Sequence, residues 1–225
     1  MDFPFCRGEQ QMRIMIIDSC VFTLLGACCF FEKYPYILTE HADSVEQSLP
    51  RLATFRPDVV IINLTHYCRC GGEFPQLIDF FQACGNARIY IYVDAPYPTA
   101  AEPIALSGRV SLMNKKCLLP LLHLLSDPVQ PPPLFRRNSN GYLYSRQELA
   151  VVALWMAQYT NHEIAKKLGI CGRTVYVHKR QAIRKLMVRN RLEFCFLYHV
   201  LKYVIYPPYF FPTPEERVPS LPCPV

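Results

Sequence analysis

The stretch Thr160-Asn-His-Glu-Ile-Ala-Lys-Lys-Leu-Gly-Ile170 is followed by Arg173-Thr-Val-Tyr-Val-His-Lys-Arg180 and Ile183-Arg-Lys-Leu186, and these residues decide the second half of the chain. Thr160 with Glu163 three positions on is a capping box: the hydroxyl takes a backbone amide, and the carboxylate reaches back to the threonine amide. Ile164, Ala165 and Leu168 then recur at helical spacing, and Gly169 suits the left-handed position that ends a short helix. A third helix begins near Thr174, with Val175, Ala182, Ile183 and Leu186 turned to a core. Upstream, Ser145-Arg-Gln-Glu148 is a second capping box, opening a helix with Leu149, Val152, Ala153 and Met156 on one side. Downstream, Arg191 to Tyr206 predicts a fourth helix. A tight Gly-containing turn ahead of a basic helix is the helix-turn-helix arrangement.

Charge follows this division. The chain of 225 residues carries a net charge of +6, yet Gly141 to Glu193 alone holds ten Lys or Arg against three Glu. The rest is close to neutral. A compact basic module attached to a neutral domain points to phosphate-backbone binding by the module. Pro128, Pro131, Pro132 and Pro133 mark an interdomain linker over 126–140, and the cluster from Pro207 onward predicts a Pro/aromatic tail over 207–225.

The first part, 1–125, alternates apolar runs with helical patterns. Met12 to Ile17, Asp58 to Leu64, Arg88 to Val93 and Arg109 to Met113 read as buried strands; Asp43 to Phe55, Phe74 to Cys84 and Leu118 to Leu125 read as helices. Alternation of this kind implies a parallel sheet covered on both faces. The expected fold is therefore an α/β receiver-like, flavodoxin-like domain with a parallel sheet, joined to an all-α helix-turn-helix domain over 141–206.

The region from Ser145 to Glu193 resembles the DNA-binding domain of the LuxR/NarL/FixJ transcription regulators, in turn, core and helix spacing. By that resemblance Tyr176, Val177 and Arg180 face base edges in the major groove. Arg180 suits two hydrogen bonds to a guanine, and Val177 a thymine methyl. Arg173, Thr174, His178, Lys179, Arg184 and Lys185 fall where the family touches phosphates. Three departures weaken the pattern: Arg146 stands where proline is usual, Cys171 stands where Ser or Thr usually caps the recognition helix, and Gly172 follows where an acidic or polar residue is common. The cysteine should cap less well, at about 1 kcal/mol.

The resemblance extends the comparison to phosphoacceptor receivers, which need an acidic pair after strand one, an Asp at the end of strand three, a hydroxyl after strand four and a Lys after strand five. Here Asp18-Ser19 keeps at most one acid, Asn63 stands at the phosphoacceptor position, Val93-Asp94 lacks the hydroxyl, and Lys115 or its neighbour Lys116 is the remaining lysine. An amide is not nucleophilic and cannot form an acyl phosphate. The expectation is a degenerate pocket of Asp18, Asn63 and Lys115 that takes no phosphate; only if Asp58 were the acceptor would this change, and Asp58 opens its strand.

Length, the missing phosphoacceptor and the tail resemble the auxiliary regulators of the RcsA and BglJ types, the BglJ type more nearly, which pair with a response regulator of the RcsB type. The resemblance implies a sequence-specific transcription regulator of double-stranded DNA, an activator acting as a heterodimer with such a receiver–helix-turn-helix partner, switched by abundance. A homodimeric regulator, or an interaction module that no longer reads DNA, are the alternatives.

Other chemistry has little to stand on. No phosphate loop or nucleophile elbow is present, so no enzyme and no cofactor is expected. His66, Cys68, Cys70 and Cys84 make a poor zinc pattern. Eleven scattered cysteines without an apparent secretory leader suggest reduced thiols in a cytoplasm. No apolar stretch is long enough to span a bilayer, and no membrane partner is expected.

Overall fold

The computed structural model describes residues 11–127 and 142–206. Nearly all of the linker, and the whole tail expected from the proline clusters, lie outside the described residues.

Five strands, β1 (Met12–Ile17), β2 (Ile37–Ala42), β3 (Val59–Asn63), β4 (Arg88–Val93) and β6 (Val110–Asn114), lie parallel in the order β2-β1-β3-β4-β6. The two-residue β5 (Ile104–Ala105) adds to β6 as an antiparallel edge. This is the doubly wound 2-1-3-4-5 order of flavodoxin-like domains, with one short extra strand. The register sets Ile16 beside Ile61, and Ile61 beside Tyr90. Because helices cover both faces, the central strands are apolar on both sides. Met15, Ile17, Val60, Ile62 and Ile91 face one layer, while Ile14, Ile16, Ile61, Tyr90 and Tyr92 face the other.

One layer is α1 (Val21–Phe31) and α5 (Leu118–Leu125). The other is α2 (Val45–Phe55), α3 (Thr65–Cys70) and α4 (Pro75–Ala83). Four strand positions and three helices stand where the pattern predicts them. Four of these elements escape the sequence reading. β2 lies at the sheet edge and carries Thr39, Glu40 and His41 in succession; α1 holds no charged residue and shows no period; α3 spans His66, Cys68 and Cys70; β5 is only two residues long.

The helical domain is α6 (Arg146–Met156), α7 (Asn161–Leu168), α8 (Gly172–Lys185) and α9 (Arg191–Ile205). Both capping boxes form, with Glu148 N to Ser145 Oγ at 3.3 Å and Ser145 N to Glu148 Oε2 at 2.8 Å, and the same distances at Thr160 and Glu163. Gly169 takes φ of +62°, the left-handed turn expected of it.

α9 docks the helical domain onto α3 and α4. The Phe74 amide donates to Tyr203 Oη at 2.6 Å, Lys202 Nζ reaches Gly72 O at 2.8 Å and Glu73 at 3.0 Å, and the rings of Tyr97 and Phe196 meet at 5.4 Å. Thr99 donates both its amide and its hydroxyl to Met187 O, each at 2.9 Å. The buried apolar residues of the α2–α4 layer run without a break into the helical domain.

Candidate nucleic-acid interface

Helix α8 is amphipathic, with Val175, Ala182 and Leu186 buried and its other flank in solvent. Arg173, Val177, Arg180 and Arg184 recur at i, i+4, i+7 and i+11, so they line one exposed face, and Tyr176 stands exposed beside Val177. The three residues expected to face base edges therefore share one solvent-exposed surface with two arginines from the phosphate-contact group.

The remaining expected phosphate contacts are placed differently. Lys179 Nζ donates to Asn161 Oδ1 at 2.6 Å and lies 5.2 Å from the Trp155 ring centre, so it ties α8 to α6 and α7. Burial holds its ammonium below the usual lysine range, with the Arg191 charge adding to the effect. Lys185 Nζ pairs with Glu148 Oε2 at 2.6 Å and donates to Leu143 O at 3.1 Å. Thr174 is half-buried at the start of the helix, and His178 turns Nδ1 inward, where it has no hydrogen-bond partner among the described residues.

Cys171 does cap α8. Its Sγ accepts from the Thr174 amide at 3.4 Å and lies 3.0 Å from Thr174 Oγ1. These contacts, the Thr174 hydroxyl first, hold the thiol below the usual cysteine range. The thiol fills the role that the sequence reading discounted, with the weaker acceptor strength of sulfur.

The receiver-like pocket is closed by its own hydrogen bonds. Asn63 Nδ2 donates to Asp18 Oδ1 at 2.9 Å, and Asn63 Oδ1 accepts from the Thr65 amide at 3.0 Å and its hydroxyl at 2.6 Å. The other oxygen of buried Asp18 accepts from the Tyr92 hydroxyl. Burial, then the bond to Asp18, pushes the Tyr92 phenol well above its usual range, so it stays a neutral donor. The Asp94 amide donates to Thr65 Oγ1 at 2.7 Å. Lys115 Nζ pairs with Asp94 Oδ2 at 3.0 Å, a bond that raises the lysine above its ordinary value. Asp18 and Asn63 thus meet as expected, whereas Lys115 is paired across the rim. Thr65 and Tyr92 were not anticipated; two fully buried tyrosines in the run Arg88-Ile-Tyr-Ile-Tyr-Val93 were the available sign, because a buried phenol needs a partner.

Of the four residues that made a poor zinc pattern, His66 and Cys70 approach to 3.5 Å, while Cys68 and Cys84 are buried, their thiols pushed up to about 12 by that burial. Among the described residues no three His, Cys, Asp or Glu side chains gather into a metal site. No helix among them is long and apolar enough to cross a membrane.

Two family models match this chain. Residues 13–130 match the model described as transcriptional regulator RcsA, N-terminal dimerisation domain, and residues 143–197 match that of the bacterial regulatory proteins of the luxR family. Among curated relatives, the transcriptional regulatory protein EntR of Citrobacter freundii is 28% identical over 191 residues, covering 81% of this chain and 95% of that protein. RcsA of Erwinia amylovora is 25% identical over 213 residues, covering 85% and 93%. Among solved structures, RcsB from Salmonella enterica serovar Typhimurium bound to promoter rprA shares 20% identity with a TM-score of 0.48, over 84% of this chain and 98% of that one. The match is to the RcsA type; the expected leaning toward the BglJ type finds no support in it. With the first model spanning more than half of the sequence and the second the helical domain behind it, the chain belongs to the RcsA-type transcriptional regulators, and its helical domain to the LuxR-type DNA-binding regulators.

Proposed function

We propose that this chain is a sequence-specific DNA-binding activator, not an enzyme, that works in the cytoplasm as the heterodimeric partner of a response regulator of the RcsB type, without phosphorylation of its own receiver-like domain. The observation that carries the reading is the exposed face of α8, where Tyr176, Val177 and Arg180 stand between Arg173 and Arg184 in the two-domain structure. Arg180 and Val177 read base edges, and Arg173 and Arg184 hold the backbone, so the chain supplies one recognition helix and its partner the other. Phosphate independence is supported by the pocket. Asn63 offers no carboxylate to a phosphoryl group, and Asn63 and Tyr92 engage both oxygens of Asp18, with which a metal ion would have to compete.

Genome-wide crosslinking of the tagged chain in its host, in parallel with Arg180→Ala, tests DNA reading. Discrete sites lost in the variant at equal abundance are expected; sites retained in the variant overturn the base-reading role. Incubation with acetyl phosphate followed by intact mass measurement tests the pocket. No phosphoryl adduct is expected, and an adduct on the wild type sinks phosphate independence.

A further inference from the structure

The parallel strands of the sheet are joined through helices, with one exception. β1 reaches β2 through α1, β2 reaches β3 through α2, and β3 reaches β4 through α3 and α4. Between β4 and β6 the chain runs from Asp94 to Arg109 without a helix, forming only the two-residue β5. A parallel crossover is usually helical, and its helix covers the sheet face that it passes. On the face of α2, α3 and α4 this connection supplies only Leu106 to the buried core, with Ala95, Tyr97 and Ile104 partly buried beside it. Yet Ile91 and Val93 of β4, and Val110 and Leu112 of β6, are all buried on that face.

The helical domain lies where that cover should be, and contacts to it recur along the connection. Tyr97 meets the Phe196 ring at 5.4 Å, Thr99 donates twice to Met187 O, and Leu106 O accepts from the Leu143 amide at 3.0 Å. Leu143 and Tyr144, at the entry to the helical domain, are buried in the same apolar core as Ile91 and Leu112. The Tyr144 hydroxyl in turn donates to Ala182 O of α8 at 3.0 Å. The connection therefore holds the recognition helix at two points: directly at Met187 just past its end, and through Leu143 and Tyr144 at Ala182.

We infer that the helical domain replaces the absent crossover helix as the cover of β4 and β6, and that the chain binds DNA with its two domains docked in this way. The second half of the inference rests on the DNA reading above. Parting the domains would bring water onto the apolar core that they share, and that exposure opposes it. DNA does not require parting either, because Arg173, Tyr176, Val177, Arg180 and Arg184 are already exposed in the docked chain. The receiver-like domain then fixes the orientation of α8, and the fold has no closed form to release. Occupancy of DNA follows the amount of chain present.

Hydrogen exchange of the full chain, read residue by residue, tests this in the free chain and on a duplex carrying a site recovered by the crosslinking above. The Thr99 and Leu143 amides, which bond across the domains, report parting; the amides of the central strands β3 and β4 report global unfolding. The two sets should exchange within about threefold of each other, and should slow together when DNA binds. Phe196→Ala removes the ring on Tyr97 and should let Thr99 and Leu143 exchange about tenfold or more ahead of the strands; rates that stay matched overturn the seat. In the wild type, Thr99 and Leu143 running more than about tenfold ahead of the strands overturn the cover. Acceleration of either amide on DNA binding shows that binding opens the chain; it overturns the docked mode and leaves the DNA reading standing. No binding to any recovered duplex overturns the DNA reading and the docked mode with it, while matched rates in the free chain uphold the cover.

Discussion

Asp18 is a retained acid put to another use. In a phosphoacceptor pocket it would hold a cation; here its two oxygens are taken by Asn63, the Cys20 amide and Tyr92. Tyr92→Phe leaves a buried carboxylate oxygen without its donor and should cost about 1–3 kcal/mol, seen as a lower melting temperature. Asn63→Asp sets a second carboxylate against Asp18 and should also destabilise, with no gain of phosphorylation, because Tyr92 still fills the pocket. On α8 the residues divide by what they touch. Arg180→Ala should cost about 1–3 kcal/mol of affinity for the cognate site and relax its preference, measured by anisotropy against cognate and scrambled DNA. Lys179→Ala should act on thermal stability, since its ammonium is spent on Asn161 and Trp155.

At the scale of elements, the recognition helix depends on its cap and on its ties to α6. Oxygen is a stronger acceptor than sulfur, so Cys171→Ser should stabilise the helical domain by about 0.5–1 kcal/mol without loss of DNA binding. Glu148 ties the start of α6 to the end of α8, accepting from Ser145 and from Lys185. Burial alone would raise its carboxyl, but the bonds from Lys185 and Ser145 outweigh burial and lower it from the ordinary 4.5. Glu193, bound by Arg189 at the start of α9, is lowered in the same way. A carboxyl lowered on folding stabilises the fold above its ordinary value, and that stability is lost as pH falls through the folded value. The melting temperature should therefore fall as pH drops below the ordinary carboxyl value of 4.5, and Glu148→Gln should flatten part of that fall.

At the scale of the molecule, two domains that the sequence separates share one apolar core through α9. Thr99, on the loop after β4, holds the carbonyl of Met187 just past the end of α8, so the receiver-like domain touches the recognition helix directly. The chain should melt in one cooperative transition. Phe196→Ala removes the ring packed on Tyr97 and should split the transition in calorimetry; a single unshifted transition would show that the docking contributes little.

The residue pattern alone determined the parallel sheet, the four helices of the second domain with their caps, the basic face of α8 and the asparagine that ends β3. Each of these is local: a period, a capping pair or a residue type at a strand end reports it directly. Tertiary structure decided the rest. α1 has no period because apolar residues surround it, so only the packed layers reveal which flank is bare. Tyr92 and Thr65 close the pocket from elements distant in sequence, and Lys179 and Lys185 turn inward because partners on other helices stand within reach. Contacts between segments far apart along the chain leave no periodic trace, and they are what separates the exposed residues of α8 from those that hold the fold.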